Sequence, residues 1–207
     1  MTNSKPKKLN VNIGEHIRYP IIVGAGLEKE ILATIKKEGK NRRLVIITDN
    51  RVKTLCGNHL LSILKKIDGK TELISFSRGE KNKTQETVTA LQHALLKKHF
   101  GRDTLIIALG GGVVGDIVGY VASTYLRGVP YIQMPTTLLA MVDSSVGGKV
   151  GINTPFGKNT VGAFYQPRAV IADLNFLAKQ SRKDIVNGLL EAVKTFITSD
   201  KSTVPLG

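Results

Sequence analysis

The sequence alternates between two periodicities, and that alternation most narrows what the chain can fold into. RRLVIITD is followed by VKTLCGNHLLSILKKI, TELISFS by TQETVTALQHALLKKHF, TLIIALG by a glycine turn and VVGDIVGYVASTYL, and VPYIQMP by TTLLAMVD. Each first member is a short β-branched run. The second members carry helical spacing, as in Val88, Leu91, Leu95 and Leu96, with Thr84 placed as an N-cap and Lys97 and Lys98 near the C-terminal dipole. Strands alternating with helices predict βαβ units around a mostly parallel sheet. The runs are apolar at successive positions, which suits a sheet covered by helices on both faces. YPIIVG predicts another strand, paired antiparallel with LNVNI, and AVIADL one more, ahead of a helix from Arg182 to Ser199. Between Gly147 and Pro167 the glycines and prolines show little periodicity, and the stretch reads as a long functional loop.

The expected class is therefore α/β, with a Rossmann-like, mostly parallel sheet and helices on both faces. Residues 1–8 read as a basic arm, 9–180 as the α/β domain, and 181–207 as the beginning of a helical domain that is largely missing. With 42% hydrophobic residues in 207, the chain can bury roughly 70% of its unfolded surface, so one compact domain needs no disulfides. The only cysteine, Cys56, cannot form an internal disulfide. Together with the polar opening MTNSKPKK, this points to a reducing, cytoplasmic compartment. No apolar run reaches the ~20 residues of a membrane span. The net charge of +14 suits a polyanion. Nucleic acid is disfavoured, because the basic residues are dispersed, aromatics are only 5%, and no zinc-finger or RNP-type motif occurs. An acidic membrane surface or a phosphorylated metabolite would suit the charge, which alone does not choose between them.

Gly110, Gly112 and Gly115 match GxGxxG between a strand and a helix, where backbone N–H groups can hold a pyrophosphate. Tight strand-to-helix packing would use the same glycines. The usual fingerprint also wants an acid about 20 residues farther on, and the strand ending near Met134 offers none. The available acid is upstream: Asp49, at the end of LVIITD. Asp116 suits either a helix cap or a cofactor contact, and Thr136 and Thr137 suit either a phosphate or the next helix. Lys149 and Lys158 flank glycines that a core has no use for, which favours ligand contact. Asp143, Lys149, Lys158, Asn159, Glu191 and Lys194 are the side chains expected around a substrate with phosphate and hydroxyls. Glu191 and Lys194 share a helix face, which a surface ion pair would equally explain.

The block TLIIALGGGVVGDIVGYVASTYLRGVPYIQMPTTLLAMVDSSVGGKVGINTPFGKNTVGAFYQP resembles the 3-dehydroquinate synthases, sugar phosphate cyclases of the shikimate route to chorismate and the aromatic amino acids. VDSSVGGK, GKN and AFYQP carry most of the likeness, which extends to Glu80 and Lys83 of GExxK and to Glu191 and Lys194 of ExxK. The resemblance implies NAD along Asp49, Glu80, Lys83, Gly112, Val113, Val114, Gly115, Asp116, Thr136, Thr137, Lys149 and Lys158. Phe176, Leu177, Ala178 and Lys179 would close over it. Asp143, Lys149, Asn159 and Lys194 would face 3-deoxy-D-arabino-heptulosonate 7-phosphate, with Arg127 reaching a phosphate across a homodimer. Glu191 matches one ligand of a divalent metal, zinc or cobalt.

The departures are as specific as the matches. A catalytic zinc wants about three protein ligands, and His16, His59, His93 and His99 all lie upstream of Glu191. The family's metal histidines belong to a second, helical part, so the expectation is one metal ligand here, weak or absent cyclase activity, and persisting NAD binding. Arg78 stands where the family has an acid, and AKQSR replaces a proline-containing turn. Competing expectations are a sibling cyclase such as a 2-deoxy-scyllo-inosose synthase, a metal-dependent alcohol or glycerol-phosphate dehydrogenase, and a non-catalytic remnant that binds NAD alone.

Overall fold

The computed structural model describes residues 5–13 and 17–198, so His16 and the ending KSTVPLG lie outside the described residues. Nine strands and six α-helices follow in chain order among them. They are β1 (Lys7–Ile13), β2 (Ile17–Gly24), α1 (Glu28–Glu38), β3 (Arg43–Asp49), α2 (Asn50–Val52), α3 (Asn58–Leu64), β4 (Glu72–Phe76), α4 (Gln85–Lys97) and β5 (Thr104–Gly110). Then come α5 (Gly112–Thr124), β6 (Tyr131–Pro135), β7 (Lys149–Thr154), β8 (Gly157–Phe164), β9 (Val170–Asp173) and α6 (Arg182–Thr198).

Seven strands form one sheet in the order β1-β2-β9-β6-β5-β3-β4. Only the β1–β2 pair is antiparallel; the other neighbours run parallel. The strands alternate strictly between two cores. Val45, Ile47, Ile106 and Ala108 pack with residues of α4 and α5, whereas Leu44, Ile46, Leu105, Ile107 and Leu109 pack with residues of α1 and α3. Burial on both faces explains the unbroken apolar runs in β3 and β5. The sheet is Rossmann-like, as expected.

The order β4-β3-β5-β6 reverses direction between β3 and β5. Open α/β sheets bind ligands where that reversal parts the loops beyond the carboxyl ends. Asp49 ends β3 and Gly110 ends β5, so both border this opening.

The stretch from Gly147 to Pro167, expected as a loop, instead contains the antiparallel hairpin β7–β8. Its glycines permit close strand contact: a Cβ on Gly151 would lie 2.5 Å from the Val161 carbonyl oxygen, and one on Gly162 would meet the Val150 carbonyl. The ladder is irregular between Ile152 and Thr154. Behind the hairpin, a Cβ on Gly119 of α5 would strike Val150, so that glycine seats β7 on the helix.

Two helical segments are wound wider than α. Lys53–Gly57 joins α2 to α3 as a π-helical turn, and Ala140–Ser144 forms another after β6. Helix α6 docks on the second, where a Cβ on Gly188 would lie 2.7 Å from both Leu138 Cβ and the Leu139 nitrogen. Val186, Leu189, Leu190, Val193 and Ile197 of α6 are exposed. No helix among the described residues is long and apolar enough to cross a membrane.

Candidate active site

A crevice of about 480 Å³ opens at the β3–β5 reversal, within the ~300–1,000 Å³ usual for small-molecule sites. Asp49, Glu80, Lys83, Gly112, Val113, Val114, Asp116, Thr136, Thr137, Asp143, Asn159, Phe176 and Lys179 line it. Residues separated by more than a hundred positions thus meet in one place.

Asp49 leaves β3 in extended conformation and caps the following helical turn: its Oδ1 accepts the backbone N–H groups of Arg51 and Val52, both at 2.8 Å. Its second carboxylate oxygen has no hydrogen bond among the described residues. Across the crevice, Gly111 precedes α5 without a side-chain cap, so the first-turn N–H groups of this helix carry the uncompensated positive end of its dipole. A Cβ on Gly111 would lie 3.1 Å from Thr137 Cγ2, and one on Gly112 would lie 2.9 Å from Ser144 Oγ. Glycine keeps this mouth open. Gly115 plays a different part, since it is absent from the lining and a Cβ there would collide with the Gln133 side chain of β6. The third glycine of the motif serves helix-to-strand packing.

Asp116 caps nothing. Its carboxylate receives the buried Lys83 ammonium at 2.5 Å, and the same ammonium donates to Asn159 Oδ1. Burial pushes the Asp116 carboxyl above the ordinary carboxylate value; Lys83 opposes that shift, while Glu80 and Asp143 add to it. Asn159 sits in the left-handed region with φ 57°, a conformation that asparagine tolerates better than most side chains.

Thr136 is buried, and its N–H donates to the Gly110 carbonyl at 2.9 Å. Thr137 Oγ1 accepts from the Ala140 N–H at 3.2 Å, which starts the turn that carries Asp143. On the far wall, Leu174–Lys179 forms a 3-10 segment whose Lys179 ammonium donates to the Leu55 carbonyl at 2.6 Å. Phe176 and Lys179 face the crevice; Leu177 and Ala178, in the same segment, are outside its lining.

Lys149 and Lys158 lie exposed on the hairpin and outside the lining. Arg127 follows α5 in a run of positive φ, with Leu126 at 49°, Arg127 at 68° and Gly128 at 115°. Glu191 and Lys194 pair with each other on α6, also outside the lining. The hydrogen bond from Lys194 to Glu191 raises the lysine's pKa. No group of three or more His, Cys, Asp or Glu among the described residues could hold a metal ion. Cys56 borders the crevice as a buried thiol, pushed up to about 11 by desolvation, which makes it a poor nucleophile at neutral pH.

Sequence reasoning missed several neighbours. Ser144 lines the crevice, and its buried hydroxyl has no hydrogen-bond partner among the described residues. Its place next to Asp143 in VDSSVGGK was the available signal. Gly111, the middle glycine of the turn, and Arg51, two residues past Asp49, also line the crevice. Asn153 lies between VDSSVGGK and GKN and was not singled out, yet it contacts three residues of the wall: its Nδ2 donates to Glu80 Oε1, its Oδ1 accepts from the Asn159 N–H, and its own N–H donates to the Lys83 carbonyl.

A family model described as 3-dehydroquinate synthase N-terminal matches residues 73–187. The chain belongs to this family. A curated 3-dehydroquinate synthase from Vibrio atlanticus is 41% identical over 196 residues, covering 95% of this chain and 54% of that protein. The structure of a 2-deoxy-scyllo-inosose synthase complexed with carbaglucose-6-phosphate, NAD+ and Co2+ superposes with a TM-score of 0.85 at 27% identity, over 98% of this chain and 54% of that one. A 2-epi-5-epi-valiolone synthase from Streptomyces hygroscopicus, with NAD+ and Zn2+ bound, gives 0.76 at 30% identity, over 90% and 54%. The chain thus spans about half the length of these relatives. The family match of 73–187 runs from β4 to the first turns of α6 and so includes the α5 mouth, the π-helical turn and the hairpin.

Proposed function

We propose that this chain carries the NAD-binding part of a 3-dehydroquinate synthase, which converts 3-deoxy-D-arabino-heptulosonate 7-phosphate to 3-dehydroquinate and phosphate. The observation that carries the reading is the uncapped α5 N-terminus facing Asp49 across the sheet reversal. The residues present fit a dinucleotide. Gly111 and Gly112 leave the space that a side chain would fill, the first-turn amides suit a diphosphate, and the free oxygen of Asp49 suits a ribose hydroxyl. In this reading 9–180 forms the cofactor domain and residues from 181 begin the helical part.

When bound, NAD would supply transient oxidation of a ring hydroxyl, which acidifies the neighbouring C–H and makes phosphate elimination feasible. The chain's own residues bind and orient. Lys83, itself buried and held between Asp116 and Asn159, places a fixed positive charge in the crevice wall, and preorganised charge of this kind is commonly the largest catalytic contribution. Asp143 and Asn159 border the crevice from the π-helical turn and the hairpin, and we assign the sugar acid to that side. Lys149, Lys158, Lys194 and, across a homodimer, Arg127 are assigned to substrate and phosphate. The described residues do not fit a complete metal site: Glu191 alone matches a ligand, and it is paired with Lys194. No step is assigned to a metal.

Titration calorimetry of the folded chain with NAD+ tests the cofactor reading. Saturable one-to-one uptake is expected, and no uptake at millimolar NAD+ would sink it. Calorimetric binding of a panel of phosphorylated sugar acids, ketoses and aldoses to the NAD+-loaded chain then separates dehydroquinate synthase from a sibling cyclase, the kind of protein found in the neighbour at TM-score 0.85. Net accumulation of NADH would indicate a dehydrogenase.

A further inference from the structure

The crevice wall contains a hydrogen-bonded circuit that closes through one side chain outside the sequence motifs. Lys83 Nζ bonds Asp116 and Asn159; Asn159 N–H donates to Asn153 Oδ1 at 2.9 Å; Asn153 Nδ2 donates to Glu80 Oε1 at 2.8 Å; and Asn153 N–H donates to the Lys83 carbonyl at 2.8 Å. Asn153 lies where the β7–β8 register breaks, between the pairs Ile152↔Val161 and Thr154↔Gly157. That irregularity leaves Lys158, Asn159 and Thr160 out of the ladder and turns Asn159 into the left-handed region. Bulges of this kind re-aim side chains beside active sites, and a non-glycine residue at positive φ persists only when its surroundings hold it there.

We propose that Asn153 is a positioning residue that holds Glu80, Lys83 and Asn159 as one wall, and thereby sets the affinity for the dinucleotide. The inference rests on the NAD reading above. The chemistry of the circuit requires an amide. One end of the side chain must accept from the Asn159 N–H while the other donates to a carboxylate, and asparagine does both at this length. Aspartate offers acceptors only; alanine offers neither. Losing Asn153 would free Asn159 from its conformation and leave Glu80 without its fixed donor, so the cofactor side and the hairpin side of the crevice would move independently.

The test compares NAD+ binding by calorimetry for the full chain and the variants N153A, N153D and T160A. Thr160 bonds Thr154 across the same hairpin at 2.8 Å and does not line the crevice, so T160A reports general loosening of the hairpin. N153A should weaken binding about tenfold, in line with the loss of a hydrogen bond to a charged group, while T160A stays within about twofold of the wild type. N153D keeps the acceptor for Asn159 but sets a second carboxyl against Glu80. The titratable groups in reach are Glu80 directly, and Lys83 and Asp116 through Asn159. The N153D deficit relative to wild type should therefore be largest near pH 7 and shrink toward pH 4, where facing carboxyls share a proton and a donor returns. A merely structural role would not move that ratio with pH.

If wild type takes up no NAD+, the cofactor reading fails. If wild type binds and N153A binds within twofold of it, the positioning role alone is overturned. Equal losses in N153A and T160A overturn it as well. Should N153A not fold by circular dichroism, N153D decides: a pH-independent ratio to wild type overturns the role, and recovery at low pH upholds it.

Discussion

Two lysine–carboxylate pairs in this protein share the same chemistry and differ in almost everything else. In Lys83–Asp116 the side chains are 4% and 19% exposed, and the ammonium also holds Asn159; in Lys194–Glu191 they are 64% and 22% exposed, and the two residues sit three apart on one helix. The first pair joins elements far apart in the chain. Surroundings decide what each pair does. Removing one partner from a dehydrated pair leaves a charge that the fold cannot solvate, whereas water replaces a lost partner on a helix surface.

Lys83→Met should have the largest effect. It strands Asp116 in a site that already resists ionisation and removes the donor to Asn159. A loss of about 3 kcal/mol is expected from breaking such a pair, read as a fall in Tm of roughly 10 °C for a chain of this size. NAD+ uptake should disappear with it. A variant that melts with the wild type would show that water reaches the pair and that the contrast with Lys194–Glu191 is smaller than the geometry indicates.

Asp116→Asn sharpens the comparison through pH. Asp116 holds its proton more tightly folded than unfolded, so its contribution to stability is greatest below about pH 4, the ordinary unfolded value, and declines as pH rises through the raised folded value. The stability difference, wild type minus D116N, should therefore fall with rising pH across that acidic window and then level off. Urea unfolding between pH 3.5 and 7 measures it. A difference that grows with pH would mean that attraction to Lys83 outweighs desolvation and that the Asp116 carboxyl is in fact depressed.

The same distinction between local pattern and assembled surroundings explains what the sequence disclosed. The strands were legible because burial on both faces forces continuous apolar runs, and Asp49 was legible because it ends one of them. The failure of the usual dinucleotide spacing has a topological cause. The glycine turn follows β5, on one side of the sheet reversal, and the acid that faces it ends β3 on the other, so the acid comes earlier in sequence. Glycines 151 and 162 suggested a loop, although they mark two strands in close contact, and composition alone does not separate those cases. The π-helical turns at 53–57 and 140–144 overlap VKTLCGNHLLSILKKI and TTLLAMVD, where helical spacing was legible and the wider winding was not. Asn153 was illegible in principle, because its partner Glu80 is 73 residues away and the contact exists only once the hairpin has folded over the crevice.

The smallest effect is expected from the exposed pair. Glu191→Gln and Lys194→Met should each leave Tm within about 1 °C of wild type, as for most surface ion pairs. Lys194 has a raised folded pKa because Glu191 accepts its proton in a hydrogen bond. Its contribution is therefore fully present below the unfolded lysine value of about 10.4 and is lost only as pH rises through the folded value. Between pH 6 and 9 the pair is silent, in contrast to the acidic window of Asp116. Thermal melts of both variants across that range check this. A Tm fall approaching that of Lys83→Met would mean that Glu191 and Lys194 hold α6 on the π-helical turn, in which case their exposure understates their role and burial is not what separates the two pairs.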